Sequence, residues 1–286
     1  MKVYNRALGQ YEEENSGDSI TLRFLYRTAF GRLLLKIAIA RPFFSKAVSR
    51  FQHSPLSRRS ISGFVKKNNI DISAWDIESF RCFNDFFIRK KGFSDTSGEN
   101  ELISVADSRL SAYRICNGLK LNIKNSAYSV ASLLDDSQAA DRFCSGWCLV
   151  FRLCVDDYHR YSYADSGVIT AQYEVKGRLH TVRPIACDFN PYSTNHRVVN
   201  LLECDRIGDA AQIEVGALMV GKIKNHDGEG AAFRKGQEKG YFEFGGSTVI
   251  LLVGDCVEID RDIVENTERD IETKVRLGDV IGKIKG

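Results

Sequence analysis

The sequence predicts an α+β fold in which a helical N-terminal region precedes a β-rich domain. Three observations predict it. Apolar residues recur at helical spacing near the start, as in Leu22, Leu25, Tyr26, Ala29, Phe30, Leu33, Leu34, Ile37 and Ala38. From residue 102 onward the pattern changes to short runs of β-branched and aromatic residues bounded by turn formers. The stretch Gly92 to Glu101, built of glycine, serine and acidic residues, separates the two characters. The expected division is therefore a helical region over 1–91 and a β-rich domain over 102–286. A chain of 286 residues with 43% hydrophobic and 27% charged residues can bury a large core.

In order along the chain, a short polar leader is expected first, then the helix carrying the stripe above. Pro42 interrupts it, and Phe43, Phe44, Val48 and Phe51 suggest a second short helix. Further helices are expected over Ser60 to Asn68 and Ile72 to Arg89, with Asp71 or Ser73 as caps ahead of Trp75, Ile77 and Phe80. Strands are expected at Leu102–Val105, Arg109–Ile115, Leu119–Ile123, Cys148–Val155, Gly167–Val175, Arg197–Glu203, Gln212–Val220, Tyr241–Phe244 and Thr248–Val253, with a short helix over Ser129 to Leu134. In the tail, Thr273 to Ile284 reads as two short strands about a glycine turn. This pattern resembles the end of a barrel-sandwich hybrid domain.

Charge is unevenly placed. From Ile20 to Ile70 there is no Asp or Glu, while Arg23, Arg27, Arg32, Lys36 and further basic residues recur through an apolar background. The apolar run is too often broken by charge to span a bilayer. A helix lying in the interface of an anionic membrane fits, each basic residue near the surface contributing about 1 kcal/mol. The alternative is a helix packed on the protein's own core. The net charge of +3 is too small to suggest a nucleic-acid partner. The eight cysteines are scattered; Cys144 and Cys148 could begin a metal site, but no second pair or nearby histidine completes one, so no metal is expected. Buried free thiols in a reducing compartment are the reading adopted.

The chemically suggestive segment is Tyr241 to Val253, where Gly245-Gly246-Ser247-Thr248 separates two strand-like runs. Ser247 Oγ lies one residue from the Gly246 carbonyl, and glycine removes the Cβ that would obstruct both a strained turn and the approach to that carbonyl. Attack would convert the amide to an ester. Removal of the Ser247 α-proton would then expel the ester, and hydrolysis of the resulting dehydroalanine would leave a pyruvoyl group at a new N-terminus. A hairpin turn is the plainer reading of the same residues.

The neighbouring motifs bear on that choice. Lys235 to Thr248 resembles the processing site of phosphatidylserine decarboxylases, of the form K-G-x-E-x-G-x-F-x-F-G-G-S-T. Phe83-Asn84-Asp85-Phe86-Phe87-Ile88-Arg89 is similar to that family's F-N-[DE]-F-F-x-R, Ala106-Asp107 to its A-D-G element, Asp157-Tyr158-His159-Arg160 to its D-Y-H-R motif, and Glu214 to Gly221 to its V-G-A-x-x-V-G strand pair. The resemblance runs from about residue 80 to about residue 255. It implies cleavage between Gly246 and Ser247 into a large and a small chain, a pyruvoyl cofactor derived from Ser247, and conversion of phosphatidylserine to phosphatidylethanolamine at an anionic phospholipid membrane. It further implies a peripheral location on the cytoplasmic side of the cell membrane and leaves room for a homodimer. Phe83, Phe86 and Phe87 read as core.

Residue by residue, the resemblance carries the aspartate of an Asp-His-Ser arrangement onto Asp107 and the decarboxylation histidine onto His159. Tyr158 would fix the strand, Arg160 would meet phosphate, and His196 is read as structural. Two departures matter. Ser108 replaces the glycine after the aspartate, and Ser162 stands where the family has the second histidine of D-Y-H-R-x-H. Either the base has moved, with His180 of Gly177-Arg178-Leu179-His180-Thr181-Val182 taking the role, or processing is lost and the chain is a noncatalytic membrane-binding relative. The first is preferred, because Gly246-Ser247, Asp107 and His159 have little reason to occur together in a purely structural protein. A pyruvoyl decarboxylase acting on a soluble amino-acid derivative is a third reading.

Overall fold

The computed structural model describes residues 1–14, 20–39, 42–93, 95, 97–115, 120–123, 126–218, 222–245 and 247–285. Its architecture is mixed α/β, dominated by sheets, with few and short helices. Thr-Val-Ile-Leu-Leu-Val is a continuous apolar run rather than an alternating one, as a strand covered on both faces requires. Accordingly Ser247–Val253 is buried at every position and lies in the middle of a ten-stranded sheet. The sheet runs in the order Ala232–Phe233, Gly167–Val175, Arg197–Cys204, Gly208–Gly216, Ser247–Val253, Trp147–Leu153, Ser108–Arg114, Glu272–Val275, Lys2–Asn5, Gln10–Glu13. Neighbours are antiparallel except Lys2–Asn5, which pairs parallel with Glu272–Val275. The first residues are therefore strands on the sheet edge and not a polar leader.

Register places chemistry on one face. Ser247 pairs with Gly216 and Val249 with Glu214, so Ser247, Glu214 and Gln212 point to the same side. That side is covered by a second sheet of Ile223–Asn225, Glu238–Phe242 and Arg160–Ser162. Between the sheets the Lys239 ammonium lies 3.1 Å from Glu214 Oε1, both side chains without solvent exposure, while Gln212 Nε2 donates to the Ser162 carbonyl at 3.3 Å. A third sheet joins Val257–Ile259, Val280–Ile284 and Glu101–Ile103. The two tail strands thus belong to different sheets. Gly278 turns the chain between them at φ +85°, with the Phe93 ring where a Cβ would stand.

The N-terminal helices are Ile20–Arg27, Ala29–Leu34, Pro42–Gln52 and Ile61–Asn68, with a π-helical turn at Leu35–Ile39. Thr28 Oγ1 accepts from the Gly31 N–H and caps the second helix. Only part of the predicted stripe is covered: Leu25, Tyr26 and Leu35 pack with Ile185 and Ala186, while Phe24, Phe30, Leu33 and Ile37 are exposed. No described helix is long and apolar enough to cross a membrane. The expected helix over Ile72 to Arg89 is broken. Asp71 and Asp76 bind the N–H groups of Ser73 and Glu78, two residues on, and such local bonds compete with helix. What remains is a single 3₁₀ turn, Ile77–Ser79, and the short helix Phe83–Phe87. The helix at Val130–Leu134 forms as expected, with Ser129 and Ser132 in a reciprocal cap.

Candidate active site

Ser247 opens the central strand directly after the turn that leaves Glu238–Phe242. Its Oγ is buried and makes no hydrogen bond, as are the hydroxyls of Thr248 and Ser162. Orphaned buried hydroxyls are uncommon, because each forgoes the bonds it had in water. Gly246 lies outside the described residues. Gly245 adopts φ +139°, a conformation for which a side chain would be strained.

The turn is held from below by aromatic side chains. Phe244 meets Phe83 and Phe87 edge-on, each at 5.1 Å between ring centroids, and its N–H donates to Asn84 Oδ1 at 3.3 Å. The F-N-D-F-F helix therefore grips Phe244, next to Gly245, a role the sequence reading assigned only to general core packing. The Asn84 contact was missed; the signal was its fixed place among the phenylalanines.

His159 is the catalytic candidate brought to this turn. Its ring is fully buried, packs on Phe87 with centroids 4.0 Å apart, and lies beside the Gly245 backbone. Nδ1 is 2.9 Å from the Asp157 carbonyl, an acceptor, so Nδ1 carries the proton and Nε2 presents the lone pair. Nε2 is buried without a partner. Burial, helped by the nearby Arg89 charge, pushes the imidazole down to about 3, so the ring is neutral near neutral pH.

The other predicted residues have partners of their own. Asp107 accepts the Leu277 N–H at 2.7 Å, and burial raises its pKa above the usual carboxylate range. His180 faces Tyr26, whose hydroxyl is 3.4 Å from Nδ1, and stacks on Phe189 at 4.7 Å. Burial lowers it to about 4. Its backbone is nonetheless close to the site: Asn195 Nδ2 donates at 2.8 Å to both the His180 and Gly216 carbonyls, and Gly216 is the cross-strand partner of Ser247. Ser162 donates its N–H to the Val105 carbonyl, two residues before Asp107, which puts the substituted position near that aspartate. Arg160 is not free for phosphate. Its Nε binds the Ile88 and Arg89 carbonyls at 2.9 and 3.3 Å, and Nη1 binds Glu238 at 2.6 Å. His196 Nδ1 is 3.5 Å from Glu174 on the sheet, and its backbone carbonyl accepts the Gly216 N–H at 2.9 Å.

A buried neutral imidazole beside a glycine-serine turn can accept a proton from, or return one to, an atom of that turn. The described residues hold no cluster of histidine, cysteine and carboxylate suited to a metal. The family model for phosphatidylserine decarboxylase matches residues 83–283. The chain is 43% identical to phosphatidylserine decarboxylase proenzyme 2 of Clostridium acetobutylicum, covering 99% of this chain and 98% of that one. It is 38% identical to the phosphatidylserine decarboxylase proenzyme of Clostridium perfringens strain SM101, over 99% of each chain. It is 39% identical to the proenzyme of Ruminiclostridium cellulolyticum, over 99% of this chain and 97% of the relative.

Proposed function

This chain belongs to the phosphatidylserine decarboxylase family, and from that membership we propose that it is a self-processing enzyme that converts phosphatidylserine to phosphatidylethanolamine by means of a pyruvoyl group made from Ser247. The observation that carries the proposal is the buried, unpartnered Ser247 Oγ at the end of a glycine turn, with the buried His159 ring beside Gly245. An orphaned hydroxyl costs about 1–3 kcal/mol of stability whether or not it reacts, so its presence here points to a use. Attack of Oγ on the Gly246 carbonyl is such a use.

The pyruvoyl group supplies an electron-withdrawing carbonyl that takes up the electrons left when carbon dioxide departs. The chain's own residues supply the rest. The Glu214–Lys239 pair and the covering sheet keep water from the Ser247 face. Phe87 and the Asp157 carbonyl fix the His159 ring and its tautomer, so that Nε2 can hold or deliver a proton at the turn. As the base that takes the Ser247 hydroxyl proton we keep His180 as the candidate, on the strength of the Asn195 link between its backbone and Gly216.

We further assign the exposed face of Phe24, Phe30, Leu33 and Ile37, flanked by Arg23 and Arg27, to an anionic membrane, with the protein peripheral on its cytoplasmic side. Apolar side chains interleaved with basic ones suit acyl chains below a layer of negative headgroups.

Intact-mass spectrometry tests the central claim. The purified chain should separate into pieces of 246 and 40 residues, the smaller lacking a free amine, and Ser247→Ala should stay whole. A wild-type chain that remains whole in the presence of anionic liposomes would refute processing, and the noncatalytic reading would replace it. His180→Ala that cleaves at the wild-type rate would remove His180 from the base role.

A further inference from the structure

Four arginines of the described chain are buried, and three of them are fully engaged. Arg109 binds Glu14 and Asp157, Arg152 binds Glu272, and Arg197 donates to the carbonyls of Leu133, Ser132, Ser193 and Asn195. Arg89 is the exception. It is 6% exposed, yet no carboxylate lies within ion-pair distance among the described residues. Its Nε has no acceptor, and Nη1 has only a long 3.4 Å bond to the Phe86 carbonyl. The guanidinium lies instead over the rings of Trp75 and Phe86, 5.3 and 4.9 Å from their centroids. Its backbone is fixed, because Arg160 binds the carbonyls of Ile88 and Arg89. A rigidly held, buried and unpaired guanidinium is costly, and the cost is recovered when an oxyanion arrives.

Space for one exists. Arg89 lines a cleft of about 350 Å³ together with Lys91, Arg276, Asp107, Asp157 and Tyr158. The cleft borders the catalytic candidates: Asp157 holds the His159 ring through its carbonyl, and Arg89 is near enough to His159 to depress its basicity. Cations and carboxylates line the same cleft, which suits a ligand that carries both signs. The phosphoserine headgroup does so, with a phosphodiester, a carboxylate and an ammonium.

Resting on the decarboxylase reading above, we propose that Arg89 is the anion-binding residue of the active site and that it takes the phosphodiester of the lipid headgroup. The carboxylate is the less suitable partner. A guanidinium that neutralised it would stabilise the ground state of the group that must leave as carbon dioxide, and so would oppose the reaction. Asp107 is placed to meet the ammonium, since Asp157 is already taken by Arg109.

Two measurements test this, one of them independent of turnover. Calorimetry on full-length Ser247→Ala protein should detect glycerophosphoethanolamine, which has the phosphodiester and no carboxylate, and adding Arg89→Gln should weaken that binding by about tenfold or more. Inorganic phosphate should bind more weakly than glycerophosphoethanolamine; equal binding would mean a generic anion site and would overturn the headgroup assignment. In the active enzyme, Arg89→Gln should raise KM for phosphatidylserine about tenfold with kcat within a few-fold, and Arg89→Lys should recover part of the loss. Variants that cleave normally with unchanged KM, or glycerophosphoethanolamine binding that ignores Arg89, would overturn the proposal. Because a wild-type chain that neither cleaves nor turns over lipid would refute only the decarboxylase reading, the binding arm separates the two failures.

Discussion

Glu214→Gln is the perturbation whose size the structure fixes best. Glu214 and Lys239 are both without solvent exposure, 3.1 Å apart, and join the central sheet to the sheet that covers Ser247. Glu214 Oε2 also accepts from Asn200 and Asn225, so the carboxylate is anchored on both strands. Removing its charge leaves the Lys239 ammonium with the rings of Tyr161 and Tyr163, at 5.8 and 5.7 Å, and the more distant charge of Asp227. Breaking a buried pair in this way costs about 3–5 kcal/mol. With an unfolding entropy of about 2.1 cal/mol/K per residue, a chain of 286 residues has roughly 0.6 kcal/mol/K, so Tm should fall by about 5–8 °C. The assay is thermal unfolding in a Ser247→Ala background, which keeps one uncut chain in every sample. Burial lowers the Lys239 pKa and Glu214 raises it, so Glu214→Gln lowers it further. Between the variant's folded value and the wild-type one only the folded variant has shed the proton, and there the deficit should shrink as pH rises. Replacing both residues with methionine should restore most of the loss. A drop below about 2 °C would refute the reasoning, since it would mean that Lys239 sheds its proton on burial and that no ion pair is being broken.

Two further outcomes follow from the same geometry. His159 is held at about 3 when folded against about 6.5 unfolded; the unfolded chain therefore binds one more proton between those values, and stability should decline as pH falls below about 6.5. Denaturant midpoints at pH 7.5 and 5 should differ less in His159→Gln than in wild type, and an unchanged difference would show that the ring is not buried neutral. Phe30→Ser/Leu33→Ser should reduce cosedimentation with anionic vesicles severalfold while leaving Tm within about 1 °C, because both side chains are exposed; undiminished binding would dismiss this face as the membrane contact.

The sequence was most legible where one local pattern decided the structure. Thr248 to Val253 is apolar without alternation and is a strand covered on both faces; Ser129 precedes an apolar run and caps a helix. It was least legible where the partner is remote. Lys2–Asn5 is four residues long, and its place is set by parallel pairing with Glu272–Val275 near the other end of the chain. No local spacing encodes such a pairing. Between Ile72 and Arg89 the helical spacing was present, but Asp71 and Asp76 turned their carboxylates onto nearby N–H groups and stopped the helix.

The site divides along the same line. Ser247 and His159 could be named from motifs, because each motif is a short stretch whose chemistry is local. Their mutual relation was not legible, since it depends on Phe87 and Phe244 closing on one another from segments more than 150 residues apart. Nor could spacing reveal that Arg160 would be consumed by the Ile88 and Arg89 carbonyls, leaving the arginine three residues beyond Phe86 as the uncommitted cation. The Ser162 substitution fits that picture. A hydroxyl at that position cannot serve as an imidazole base, and the Ser162 Oγ, like that of Ser247, is buried and unbonded, so the proton chemistry of this chain falls to the histidines that remain around Gly216 and Gly245.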